Sequence, residues 1–513
     1  MLTGDILRLS AERHPNRTAL ICGEEKISYK VLNEAANRFG HALLQMGIGK
    51  GAKWAIMSRN LPEYVIAHFG GAQTGALLVN LLPAYAPDEL VSILAQTRVQ
   101  LIVIEEIFQK KLSRVISQLP ELKHIVVIGE PERKSWINFD KFTDNHPNKP
   151  CNIKLSETDP FAITFTGGTT GLPKGAMVNH QARYTSCYTT AIEHGITEAD
   201  VVSVVTPFYH AMGSLVWLPT AILVGATAVL LTGWDPDIFI EQTAKHSITS
   251  TFMVPVQLRQ ILSDEHFNFS RLLSLNNIAC GGAVVPVDLV TEVNLKMPHA
   301  HFTNHYGQSE TGPICIYHSF HPREKAHTIG RIALGVDLKI IDPSGHEVGV
   351  GETGEIICRG PFLMSGYYNN DQETNTYFAN GDGWGWTGDL AKKDVDGFIT
   401  LVGRSKDMII SGGVNIYPRE VEIVLERLDE IIDCTVFGIP DDKWGEALVA
   451  YVVLNKNSSL DKNSIINHCT EHLARFKRPK HIRIVDHIEK TPSGKVQKTL
   501  LRDTFLREKN AAD

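Results

Sequence analysis

The chain has 513 residues, more than one hydrophobic core usually serves, so at least two domains are expected, one of them large and subdivided. Hydrophobic residues make up 43% and charged residues 21%, the balance of a soluble globular protein without disordered bulk. A formal net charge of -7 and a pI near 6.3 leave no basic stripe to displace counterions from phosphates, which excludes a nucleic-acid partner.

At the N-terminus, "MLTGDILRLSAERHP" sets Asp5, Arg8 and Glu12 where a secretory signal needs an apolar run, so no such signal is read. "YKVLNEAANRFGHALLQMGI" has apolar residues at helical spacing and predicts a helix ending near Gly47. "KWAIMS" then reads as a strand, "PEYVIAHFGGAQTGA" as a helix, "LLVNLL" as a strand, "PDELVSILAQTR" as a helix and "QLIVIEE" as a strand. Strands and helices alternating at this spacing predict βαβ units and a mostly parallel sheet, an α/β fold class.

Ala211 to Leu231 carries no charge over 21 residues, which meets the crude length test for a membrane span. Pro219, Gly213, Gly225 and the closing β-branched run argue instead for a buried helix of about three turns followed by a buried strand, "TAVLL". From about Gly330, "GRIALGVDLKIID", "GETGEIICRG" and "DGFITLVGRS" predict a small antiparallel β region. After it come a helix at "PREVEIVLERL", strands at "CTVFGIP" and "ALVAYVVL", and a helix at "SIINHCTEHL". The expected domains are residues 1–403 and a compact α+β domain, 404–513. The eight cysteines are scattered without a CxxC pair, which suits small core residues of a reduced cytoplasmic protein.

"TFTGGTTGLPKGA", Thr164 to Ala176, follows a strand-like run. Its glycines permit close backbone approach, and Thr166, Thr169, Thr170 and Lys174 add hydroxyls and one ammonium, a fair pocket for a polyanion. On spacing alone a tight turn stays open. A Walker A loop is excluded, because Lys174 follows Pro173 and precedes Gly175 where GK[ST] would be required.

The loop resembles the phosphate-binding motif of the adenylate-forming superfamily, which includes acyl-CoA synthetases, luciferases and peptide synthetase adenylation domains. Further motifs follow in the family's order: "PFYHAMG", "ACGGA", "NHYGQSETG", "GWGWTGD", "GRSKDMIISGGVNIYPREVE" and "TPSGKVQK". The similarity runs from about Ser28 to about Lys498, and the chain is most like a fatty acyl-CoA synthetase.

The resemblance implies a role for each motif. Thr166, Gly167, Gly168, Thr169 and Gly171 would hold the triphosphate of ATP, with Thr170 and Lys174 acting in catalysis. Glu310, otherwise an ordinary surface carboxylate, would bind Mg2+ together with Thr170, since a hard oxygen ligand suits that ion. Tyr306 would lie against adenine, flanked by His305 and Gly307, with Gly281, Gly282 and Ala283 opposite. Asp389, otherwise a turn residue, would accept two hydrogen bonds from the ribose, helped by Arg404. Lys495, otherwise a solvated lysine, would place its charge on the developing negative charge of adenylation, and Lys498 is a second candidate. Lys406 would be the hinge of the C-terminal domain, and Gly412 and Gly413 would line a tunnel for the coenzyme A arm.

The acyl pocket would be formed by His210, Met212, Gly213, Trp217 and Cys280, residues whose other reading is core packing. Amino-acid-activating relatives typically carry an aspartate at His210, and Tyr209-His210-Ala211 has no acid, so an α-amino acid substrate is not expected. Each CH2 buried there adds about 0.8 kcal/mol, so one bulky side chain can set a length cutoff. Gly167 replaces the family's usual serine and points toward fatty acids; Lys50-Gly51-Ala52, where relatives often carry Gly-Asp, lies away from the proposed chemistry.

The implied reaction joins a medium- or long-chain fatty acid to coenzyme A through an acyl-adenylate, with rotation of the C-terminal domain between steps. The alternatives are an aryl-CoA ligase, an acyl-AMP ligase loading a carrier protein, and a non-catalytic nucleotide sensor. Its small-molecule partners are a carboxylic acid, ATP and coenzyme A. A cytoplasmic monomer or homodimer is expected, with no transmembrane segment and a peripheral membrane contact left open.

Overall fold

The computed structural model describes residues 1–166, 174–379, 381–412, 414–455, 458–490 and 496–512, with residues 166 and 510–512 described in the backbone only. The described residues fall into two compact units, one built from 1–166, 174–337 and 359–385, the other from 338–358 and the described residues of 386–512.

The larger unit contains two sheets of the expected βαβ type. The first has eight strands in the order Gly366–Tyr367, Lys174–Asn179, Pro160–Thr166, Leu77–Asn80, Lys53–Met57, Leu101–Glu105, His124–Ile128, Ile137–Asn138. From Pro160–Thr166 onward the neighbours run parallel. Lys174–Asn179 turns back antiparallel against Pro160–Thr166, which places Thr166 and Lys174 at the carboxyl edge of the parallel strands. In open α/β sheets that edge is where ligands bind.

The second sheet has nine strands: Arg331–Ile332, Gly312–His318, His301–Gln308, Asn277–Gly281, Ser250–Met253, Val201–Val204, Thr227–Leu230, Thr18–Cys22 and Glu25–Ser28. The six from His301–Gln308 to Thr18–Cys22 are parallel, and antiparallel hairpins close both edges. One apolar core holds Trp54 and Leu78 of the first sheet, Val202 and Phe252 of the second, and Phe39, Phe69 and Trp217 from helices.

The helix Tyr29–Gln45 starts where the hydroxyl of Ser28 accepts from Val31 N, and it buries the apolar stripe seen in the sequence. The helix read at 62–76 is shorter, Pro62–Gly71. Near its end a Cβ on Gly70 would stand 2.3 Å from the carbonyl oxygen of Ala36, so the two helices meet backbone to backbone. The uncharged stretch 211–231 forms a π-helical segment Met212–Trp217, a helix Leu218–Val224 with Pro219 in its first turn, and the strand Thr227–Leu230. Among the described residues no helix is long and apolar enough to cross a membrane.

The smaller unit has a four-stranded sheet, Asp337–Ile341, Gly354–Arg359, Gly385–Lys393, Ile399–Arg404, and a five-stranded sheet. The second of these pairs Ile431–Asp441, Gly445–Leu454 and His481–Ile484, with the hairpin Ile409–Ser411 and Val414–Ile416 at one side. Helices Pro418–Leu425 and Lys462–His472 bury Val421, Leu425, Ile465 and Cys469 on one face, and Lys498–Ala512 buries Leu501 and Phe505 on the other. None of the eight cysteines is in a disulfide, and each is buried or half-buried.

Candidate active site

In the larger unit the hairpin brings Lys174 opposite Thr166. Lys174 Nζ pairs with Glu373 Oε2 at 2.6 Å and lies 5.6 Å from the ring centre of Tyr367. The phenol of Tyr367 donates to Glu310 Oε1 at 2.8 Å, and Met364 N donates to the Glu310 carbonyl at 2.8 Å. Thus two predicted residues, Lys174 and Glu310, are joined through Tyr367, which the sequence reading missed, as it missed Glu373, the ion-pair partner of Lys174. Glu373 lies in the helix Asp371–Tyr377, whose start is fixed by the Asn370 side chain accepting from Glu373 N at 3.1 Å. Both partners of the Lys174 pair are partly exposed, and such pairs hold only about 0–1 kcal/mol. Gly167, Gly168, Thr169, Thr170 and Gly171 lie outside the described residues.

Glu310 occupies the turn between His301–Gln308 and Gly312–His318, where Gln308 N donates to Thr311 Oγ1 at 3.0 Å. Tyr306 and Gly307 belong to the first of these strands. Gly281 ends the neighbouring strand opposite His305, and a Cβ on Gly281 would fall 2.8 Å from the His305 carbonyl oxygen. Gly282, with φ +79°, and Ala283 then leave the sheet edge. The backbone of His305 lies beside the glycines, but its ring turns inward and stacks on His194 at 4.5 Å, with the Nε2 atoms hydrogen-bonded to each other. Burial holds His194 down at about 3 and His305 well below the usual histidine range, so both rings are neutral near pH 7.

The segment around His210 is clamped by Asn60, whose amide donates to the carbonyls of Val204 and Thr206 at 3.1 Å while its oxygen accepts from Phe208 N at 2.9 Å. His210 is half-buried beside Tyr209, and Met212 opens the π-helical segment that includes Gly213. Trp217 is 0% exposed; its indole donates to Ser203 O at 3.0 Å, and its ring meets His194 and Phe252. Cys280 is not brought to this group: it packs in a separate core with Met253 and Ile278, whereas its neighbour Ala279 shares the core of Trp217.

In the smaller unit, Asp389 and Arg404 face each other across adjacent strands, and Arg404 Nε donates to Asp389 Oδ1 at 2.8 Å. Asp389 N donates to Thr387 Oγ1 at 3.1 Å, and Thr387 in turn donates to Ile356 O at 2.8 Å, which anchors the carboxylate to the sheet. Lys406 lies in the short turn Ser405–Asp407, and Gly412 N donates to Trp444 O at 2.7 Å. Lys498 is held within the fold, donating to Glu422 Oε1 at 3.1 Å and Val436 O at 2.9 Å. Gly413 and Lys495 lie outside the described residues.

Family models match both parts of the chain: "AMP-binding enzyme" over residues 7–368 and "AMP-binding enzyme C-terminal domain" over residues 420–495. The chain is 31% identical to the indoleacetate–CoA ligase of Aromatoleum aromaticum over 96% of each protein. It is 30% identical to the medium/long-chain-fatty-acid–CoA ligase FadD8 of Mycobacterium tuberculosis, over 98% of this chain and 90% of that one. The crystal structure of ATP-bound MatB from Rhodopseudomonas palustris superposes with a TM-score of 0.90 at 26% identity, covering 98% and 99% of the two chains. The chain belongs to the AMP-binding enzymes, the adenylate-forming superfamily, and is an enzyme of their acid–CoA ligase family.

Proposed function

We propose that the protein converts a carboxylic acid and ATP to an acyl-adenylate and pyrophosphate, then transfers the acyl group to coenzyme A with release of AMP. The observation that carries this is the buried Tyr367–Glu310 hydrogen bond beside Lys174, which collects a carboxylate and an ammonium at the mouth of the glycine-rich hairpin. In this reading Lys174 and the loop residues take the triphosphate, Tyr306 with Gly281, Gly282 and Ala283 takes adenine, and Asp389 with Arg404 takes the ribose. The ATP-bound relative of the same fold supports the nucleotide assignment.

Glu310 fits Mg2+ as a hard oxygen donor held in place by a hydroxyl. Among the described residues no group of three or more His, Cys, Asp or Glu could hold a metal, so the phosphates would supply most of the ligands. The bound ion would neutralise phosphate charge; the protein's own part is to orient Glu310 and Lys174.

Residues 1–403 form the adenylating domain in this proposal, and residues 404–513, entered at Lys406, carry Lys495 for the first step and Gly412 and Gly413 for the coenzyme A arm. The acid has an apolar body, fatty or aryl, in this reading, because Tyr209-His210-Ala211 offers no acid to pair with a substrate ammonium group. Relatives named for indoleacetate and for medium and long fatty acids, at nearly equal identity, support both bodies. Pyrophosphate release over fatty and aryl acids of graded size, with and without coenzyme A, tests the proposal. Release that depends on the acid, together with an acyl-CoA product, is expected; ATP turnover indifferent to every acid would contradict it.

A further inference from the structure

The helix His180–His194 buries a guanidinium that meets no opposite charge among the described residues. Arg183 is 3% exposed, and its Nε and Nη1 atoms are buried without a hydrogen-bond partner. Among the described residues no carboxylate pairs with it. Among the described residues the only acidic group acting on it is the thiol of Cys187, one turn away, and burial raises that thiol's pKa, so it stays neutral.

The surroundings are polar and equally unsatisfied. His68 faces Arg183 with both ring nitrogens buried and unpartnered. It lies on the helix Pro62–Gly71 one turn after Tyr64, whose hydroxyl donates to Asn80 Oδ1 at 2.6 Å. Asn80 stands opposite Thr164 on adjacent strands, and Asn80 Nδ2 and Thr164 Oγ1 are also buried without partners. This strip therefore reaches the strand that leads into the glycine-rich loop. Tyr64 and Phe208 pack ring to ring at 4.7 Å, which links it to the His210 segment as well.

Water could satisfy these donors and acceptors, but it could not balance the charge. A guanidinium does not deprotonate in a protein, and an uncompensated ion in a core costs several kcal/mol. His68, held near 3 by burial, adds no competing positive charge. We infer that Arg183 and His68 form the head of an internal binding site for a carboxylate-type monoanion, with Asn80 and Thr164 further along the same polar strip. Two sources share that chemistry: a small free anion, or the far end of the acid that the enzyme activates. The second source rests on the ligase reading above; the site itself does not.

The test uses the full chain. Thermal unfolding is followed in sodium acetate at ionic strength held constant with sodium chloride, for the wild type and for Arg183→Met. Acetate is expected to raise the wild-type Tm by a few °C as it saturates the site. The Met variant is expected to lose that dependence and, in chloride alone, to melt above the wild type, since the unpaired charge is gone. If Arg183→Met does not fold, Arg183→Gln carries the same comparison. A second arm measures pyrophosphate release with octanoate and octanedioate. A dicarboxylate preference of roughly 10-fold or more that disappears in the variant, with octanoate turnover unchanged, assigns the site to the acid's tail. An acetate effect without that preference assigns it to a free anion. A wild type indifferent to acetate and to the second carboxylate overturns the site, as does a variant that keeps both effects; absence of turnover with every acid would fault the ligase reading alone.

Discussion

Tyr367 holds Glu310: the phenol donates to Glu310 Oε1 at 2.8 Å, with both residues buried and 57 positions apart in sequence. Such a contact fixes the direction of a carboxylate before any ligand arrives, and losing a partner of this kind typically weakens a metal site by 10-fold or more. Tyr367→Phe is therefore expected to raise the Mg2+ concentration for half-maximal pyrophosphate release by roughly 10-fold, at unchanged affinity for the acid. A Mg2+ titration of the variant checks this, and an unchanged requirement would remove Glu310 from the metal.

Asp389 receives Arg404 Nε at 2.8 Å across paired strands. Asp389→Asn keeps the shape and deletes the charge. If the carboxylate takes the ribose hydroxyls, the KM for ATP rises about 10- to 100-fold, the range for hydrogen bonds to a charged group, while the KM for coenzyme A stays within a few-fold. Equal changes in both constants would point to a merely structural pair.

Much of this arrangement was legible before the structure. The helix at Tyr29, the strand at Lys53 and the helix at Pro87 follow from local spacing, because each buries one continuous stripe. The two-sheet topology was not, since Thr18–Cys22 pairs with Thr227–Leu230 across about 200 residues and no local pattern encodes that register. The same holds within the site. Lys174 and Glu310 lie in recognisable motifs, but Tyr367 and Glu373 reach them through a strand and helix whose residues carry no spacing signal of their own. A fuller reading of "GYYNNDQET" could have marked Tyr367 as a buried aromatic with a polar tip that needs a partner. Arg183 gave no signal, because a lysine or arginine on a helix normally reaches solvent.

Three buried histidines make stability depend on pH. Burial holds His68 and His194 at about 3 and His180 at about 4, against 6.5 in the unfolded chain. Below pH 6.5 the unfolded chain takes up protons that the folded one refuses, so stability is full above about pH 7 and is lost as pH falls toward 4. Each histidine contributes a slope approaching 1.4 kcal/mol per pH unit in that window. Urea unfolding at pH 7.5, 6.0 and 5.0 measures it; a constant midpoint would contradict neutral, buried rings.

Lys498 serves the fold. Its ammonium bridges Glu422 and the Val436 carbonyl, while Val436 N donates to the same Glu422 oxygen at 3.0 Å. Lys498→Met leaves a largely buried carboxylate short of a partner, at a cost of about 1–3 kcal/mol. Differential scanning calorimetry should show an earlier transition, with adenylation by the folded enzyme within a few-fold of normal. A 100-fold loss of adenylation without a change in melting would reverse the assignment.

The two-step ligase is tested most directly by separating its half-reactions in Lys495→Ala. Acyl-adenylate formation, followed by pyrophosphate release in a single turnover, should fall by roughly 100-fold or more, as expected for one lost transition-state charge contact. Thioester formation from supplied acyl-AMP and coenzyme A should proceed at near the wild-type rate. Equal loss of both steps in a folded variant would contradict the account.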